Sequence, residues 1–112
     1  MRGEVYFAAL DPARGSEQAG TRPVIVVSRD AINRNSPVVI CVPCSERANF
    51  RKIYPSQVFL PKGAGGLRLD SIAMAEQVRA IAADRLRTRI GKLDSDHMMQ
   101  IEQCLRIALD LD

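Results

Sequence analysis

Helical spacing of apolar residues is confined to the stretch after Asp94; everything before it is short, strand-like and cut by turn residues. In that tail Met98, Ile101, Leu105, Ala108 and Leu109 line one face of a helix. Asp94 stands where an N-cap belongs, and Asp96 puts negative charge in the first turn, where the helix dipole favours it. Upstream, residues 2–10 alternate, with Val5, Phe7 and Ala9 on one side, and end at an Asp-Pro turn. Residues 23–28 hold the β-branched run VIVV, the mark of a strand buried on both faces. Further strands are expected at 38–44, 57–60, 71–81 and through Leu93, with single helical turns at 30–34 and 84–86. The KGAGG segment (62–66) reads as a turn that needs a permissive backbone. Many short strands and one terminal helix predict a mainly β fold, a small bent sheet or barrel with the helix packed on it.

A chain of 112 residues has room for a single domain, here 1–112. So small a core often gains stability by dimerising. An apolar fraction of 46% with 26% charged residues describes a folded protein, not a disordered one. No apolar run approaches the roughly 18 residues of a membrane span, and the N-terminus lacks a signal-peptide pattern, so a cytoplasmic location is expected. Three cysteines, an odd number, argue against a secreted disulfide scaffold. The net charge of +3 is small, but its distribution is uneven. Arg14, Arg22, Arg29, Arg34, Arg47, Arg51 and Lys52 face only Glu17, Asp30 and Glu46 across residues 14–52, while the stretch from Asp94 is acidic. A polyanion would meet the first half.

Several catalytic arrangements are excluded. KGAGG lacks the spacing of a phosphate-gripping P-loop. One histidine, His97, rules out a two-histidine acid–base pair within the chain, and its place at the start of the terminal helix reads as surface. Cys41 and Cys44 form a C-x-x-C, but zinc sites want a second pair or two well-spaced histidines. In a strand, moreover, positions i and i+3 point to opposite faces. These cysteines therefore read as structural, and neither metal nor cofactor is expected. The loop GSEQAGTRP (15–23) presents Ser16, Glu17, Gln18, Thr21 and Arg22 between two strands. It is either a binding site mounted on a rigid scaffold or an ordinary solvated hairpin loop.

The segment RGEVYFAALDPARGSEQAGTRPVIVVS (2–28) resembles the opening of the MazF/PemK endoribonuclease toxins, with the strand, the LDP turn, the GSEQ-G-RP segment and the hydrophobic strand in order. CVPCS (41–45), AEQVRAI (75–81) and LDSDHMMQIEQ are similar to later family segments, so the resemblance spans nearly the whole chain. It implies an SH3-like barrel of the MazF/PemK/CcdB kind with a terminal helix, usually dimeric. It further implies a type II toxin whose partners are single-stranded RNA and a cognate antitoxin, cleaving RNA without a metal. The family's essential arginine falls on Arg22, its hydroxyl residue (often Thr) on Ser45, its acidic position on Glu17, and a glutamine near the RNA path on Gln77.

Metal-free cleavage uses the neighbouring 2′-hydroxyl as nucleophile and leaves a 2′,3′-cyclic phosphate and a 5′-hydroxyl. Arg22 suits the charge-stabilising role, since a planar fork of donors matches phosphate oxygens. Ser45 can add a neutral hydrogen bond. Arg22 stays protonated and is a poor base; Glu17 could accept the 2′ proton, and the identity of base and acid stays open. Gln18, Arg47, Arg51 and Lys52 are candidate RNA contacts. Phe50 and Tyr54 either stack bases or pin their loop to the barrel. Two other functions share this fold: a gyrase-poisoning toxin, and a non-catalytic RNA-binding barrel.

Overall fold

Strand pairing is organised around the apolar centre of the sequence. The structure, a computed structural model, describes every residue except Pro12, Ala13, Gln18 and Ala19. Its elements are β1 (Glu4–Ala9), β2 (Thr21–Val26), α1 (Asp30–Asn35), β3 (Val38–Glu46), β4 (Gln57–Leu60), β5 (Ser71–Met74), β6 (Arg79–Ala82), β7 (Leu86–Lys92) and α2 (Ser95–Leu109). The strands form one antiparallel sheet in the order β4-β5-β3-β2-β1-β7, with β6 also paired to β3. β3 is the spine. Val26, Ile25 and Val24 of β2 pair with its residues Cys41, Val42 and Pro43. Its other edge is shared, Val38 to Cys41 holding β6 and Cys44 to Glu46 holding β5.

That sharing breaks the single strand expected over 71–81. A 3-10 turn, Ala75–Gln77, separates β5 from β6, and the register on β3 shifts by the three residues of that turn. The Ala75 N–H donates to the Ser56 carbonyl (3.0 Å), away from β3. Ile72, Met74, Glu76 and Val78 alternate straight through the break, so the periodicity hides it. Two boundaries also differ from expectation. β2 begins at Thr21, which puts Arg22 in the ladder opposite Ala8 and not in the loop. β3 runs on to Glu46, so Ser45 lies inside a strand. The helical turn expected at 84–86 falls one residue earlier, at Ala83–Arg85, and Leu86 opens β7.

Strand alternation divides the buried residues into two cores on opposite faces. The main one gathers Val5, Ile25, Val42, Cys44, Leu60 and Leu93 beneath α2, which contributes Met98, Ile101 and Cys104. The second holds Ala8, Leu10, Val24, Val39, Cys41 and Ile81. Val24, Ile25 and Val26 are all fully buried, as a strand covered on both faces requires. On α2 the expected stripe is realised except at Leu109, which is 53% exposed, while Cys104 turns inward. The Asp94 carboxylate caps the helix, accepting the His97 N–H at 2.8 Å. The KGAGG turn packs so closely under β7 that a Cβ on Gly91 would come within 2.5 Å of the Gly65 carbonyl oxygen. Gly66 has φ +81°, and a Cβ there would collide with the Ile90 carbonyl.

Candidate functional site

The loop between β1 and β2 is fastened at both ends. At its base the Leu10 N–H donates to the Gly20 carbonyl (2.9 Å) and the Gly20 N–H to the Asp11 carboxylate (3.1 Å). The Arg85 guanidinium adds a bond to the Asp11 carbonyl (2.9 Å). At the crown, Gln77 Nε2 donates to the Ser16 carbonyl (3.3 Å), tying the loop to the turn between β5 and β6. Within the loop, Glu17 Oε1 accepts the Arg14 N–H (2.9 Å), which orients the carboxylate.

These contacts enclose a groove of about 640 Å³ lined by Ser16, Glu17, Glu76, Gln77, Val78 and Arg79, with Ala80. Glu17 and Gln77, far apart in sequence, are thus brought together. Gln18 lies outside the described residues. The turn carrying Gln77 is held from behind, for Glu76 accepts Ser56 Oγ (3.1 Å) and Gln57 Nε2 (2.7 Å).

Arg22 is half-buried on β2. The last pair between β2 and β3 is Val24 with Pro43. Arg22 and Ser45 each lie two residues beyond that pair on the neighbouring strands. Arg22 also lines a second cavity, of about 450 Å³, with Phe7, Pro23, Glu46 and Leu69 among its walls. Ser45 is buried, and its Oγ accepts Asn49 Nδ2 at 3.0 Å. The hydroxyl proton is thereby turned away from Asn49 and can be donated.

Arg47 is half-buried and spends its guanidinium on the Phe50 carbonyl (2.8 Å), bracing the turn after β3. Phe50 is half-buried, Arg51 is exposed, and the Lys52 ammonium lies over the exposed Tyr54 ring at 4.8 Å. Arg47, Phe50, Arg51 and Lys52 line neither cavity. Asn49 donates to Ser45 and Arg79 lines the groove; neither is marked by its residue type, though Arg79 falls within AEQVRAI (75–81). An asparagine in a turn and an arginine in an alternating strand are both commonplace.

The two cysteines of the C-x-x-C are in different cores, Cys41 in the second and Cys44 in the main one. Burial pushes the Cys41 thiol up to about 11, with the nearby Arg79 charge acting the other way. Burial, with a smaller contribution from Cys41, pushes Cys44 up to about 12. Both are protonated thiols at neutral pH. Among the described residues no three His, Cys, Asp or Glu side chains cluster as metal ligands would.

Comparison with known proteins follows the same lines. Residues 1–109 match the family model described as PemK-like, MazF-like toxin of type II toxin-antitoxin system. The chain is 41% identical over 115 residues to the endoribonuclease MazF9 of Mycobacterium tuberculosis, covering 98% of this chain and 96% of the relative. Among solved structures it is similar to a mycobacterial endoribonuclease in complex with its cognate antitoxin, at 25% identity and a TM-score of 0.82, over 100% of this chain and 96% of that one. The fold is shared equally with MazF from Deinococcus radiodurans, at 24% identity and a TM-score of 0.82, over 97% and 94% of the two chains.

Proposed function

The chain belongs to the PemK-like, MazF-like toxin family of type II toxin–antitoxin systems, and on that premise we propose that it is a sequence-specific endoribonuclease cutting single-stranded RNA by attack of the 2′-hydroxyl. The reading is supported by Arg22 and Ser45 lying on neighbouring strands, each two residues beyond the Val24–Pro43 pair, and by the groove that brings Glu17 and Gln77 together. The M. tuberculosis relative at 41% identity bears the name endoribonuclease.

In the reaction the 2′-oxygen bonds to phosphorus while the bond to the 5′-oxygen breaks. Glu17 takes the 2′ proton, and the leaving 5′-oxygen takes one from water. Arg22 holds two equatorial oxygens of the phosphorane in its planar fork, and Ser45 donates a third hydrogen bond. Both donors are mounted on strands, so little reorganisation is needed as charge develops. The substrate is single-stranded, because reading bases in RNA requires them to be splayed from a helix. This donor set neutralises the transition state without calling on a metal ion. One relative was solved with its cognate antitoxin; this chain likewise meets an acidic antitoxin segment along its basic first half, acts in the cytoplasm and works as a homodimer.

Incubating the pure protein with mixed-sequence RNA in EDTA tests the reading. Cuts at one short sequence, with 2′,3′-cyclic phosphate and 5′-hydroxyl ends, are expected. Arg22→Ala should abolish them and Arg22→Lys restore little, since lysine loses the fork. Cleavage that requires a divalent cation, or none at all, would remove the proposal.

A further inference from the structure

Among the described residues, the half-buried Arg2, Arg47 and Arg85 are hydrogen-bonded within the protein. Arg2 donates to the Val27 carbonyl (3.1 Å) and pairs with Glu102 (2.9 Å). Arg47 is held by the Phe50 carbonyl and Arg85 by the Asp11 carbonyl. Arg22 also has a partner. Arg79 is half-buried in the wall of the groove with Glu17 and Gln77, and its side chain makes no hydrogen bond or ion pair among the described residues. The nearest acid along the chain, Glu76, has its carboxylate committed to Ser56 and Gln57. A guanidinium carries five donors, and withdrawing it from water without an acceptor is costly. The groove also carries the carboxylates of Glu17 and Glu76, so Arg79 is the point on its wall at which an anion brought from outside would be held.

Position along β3 says which anion. Arg79 stands opposite Cys41, and its charge is felt by that thiol. Cys41 and Ser45 are four residues apart on one strand, about 13 Å at the usual rise. An arginine side chain is long enough to span part of that distance. Arg79 therefore lies beside, and not at, the position of the phosphate held by Arg22 and Ser45.

We propose that Arg79 grips a phosphate flanking the one that is cleaved, fixing the path of the RNA strand through the groove between the β1–β2 loop and the Ala75–Gln77 turn. This rests on the ribonuclease reading and adds to it a residue that binds substrate without touching the reacting atoms. Its contribution is equal in ground and transition states, so it acts on KM and not on kcat.

The test uses the full-length protein and a short RNA containing its mapped cleavage sequence, with 2′-deoxyribose at the cut so that it binds without breaking. Binding is measured over a salt series for wild type, Arg79→Gln, Arg79→Lys and Arg79→Met, the last keeping an apolar stem over Cys41. Losing one phosphate contact should make the slope of log affinity against log salt shallower by about 0.7 in the Gln and Met variants. Lys, which keeps the charge, should hold the wild-type slope. With cleavable RNA at low salt, kcat/KM for Arg79→Gln should fall roughly tenfold, mostly through KM. A wild-type slope in both neutral variants overturns the assignment, including where only the melting temperature or inhibition by an acidic peptide changes. A wild type that neither binds nor cuts RNA sinks the ribonuclease reading itself, a result distinct from unchanged slopes in an active enzyme.

Discussion

Ser45 carries its proposed role on a single hydroxyl. Asn49 donates to its oxygen at 3.0 Å, which aims the remaining proton elsewhere. Ser45→Ala deletes that donor with little change in volume, so single-turnover cleavage should slow by roughly 10–1000-fold while thermal melts hold. Ser45→Thr keeps the donor and should stay active. Wild-type rates in Ser45→Ala would reduce the residue to a strand position. The cysteines make the opposite kind of prediction. With thiols at about 11 and about 12, Cys41 and Cys44 should resist alkylation at pH 8 in the folded protein and react promptly once urea unfolds it. Thiolates labelled in the native state would contradict their burial. Arg22 and Glu17 were marked as candidates because they fall within one long ordered segment (2–28), and Ser45 because it closes CVPCS (41–45). Asn49 and Arg79 were not, since their significance lies in what they do or do not touch across the fold.

At the scale of elements, the KGAGG turn and β7 share one close contact. Gly66 is left-handed at φ +81° and backs onto the Ile90 carbonyl, so Gly66→Ala meets both a strained backbone and a collision with main chain. A loss of about 2–4 kcal/mol is expected in urea unfolding. Gly63→Ala, where φ is +98° but nothing lies within 4 Å, should cost about 1 kcal/mol. Equal losses at the two positions would show that strain alone, and not the close packing, matters. The need for a permissive backbone at 62–66 could be read from composition, though not its partner on β7. The break between β5 and β6 could not be read at all. Alternation persists through Ala75–Gln77 because the turn is dictated by two neighbours dividing the edge of β3, a tertiary cause with no local trace. Arg22 was read into a loop because Pro23 looks like a boundary, yet Pro23 pairs opposite Phe7 within the ladder.

For the whole molecule, fold class was the most legible property. One stretch of helical period after many short strands admits few architectures, and the observed sheet with α2 across its main core is among them. What the pattern could not reveal is that apolar residues divide between two cores, one on each face. The second is built from few and small side chains, Ala8, Val24, Val39 and Cys41 among them. A chain this size with its core divided should gain from association. Sedimentation at micromolar concentration is expected to give a dimer, and a monomer there would count against the homodimer.

The order of the chain has a consequence for its own synthesis. Arg22 and Ser45 leave the ribosome early, but the elements that hold them arrive late: β6 completes the far edge of β3, β7 closes on β1, and α2 covers the main core. A nascent chain therefore carries Arg22 and Ser45, the side chains proposed to meet the phosphate, long before it can align them. On the proposed assignment, activity should therefore appear only once β6, β7 and α2 have joined the sheet.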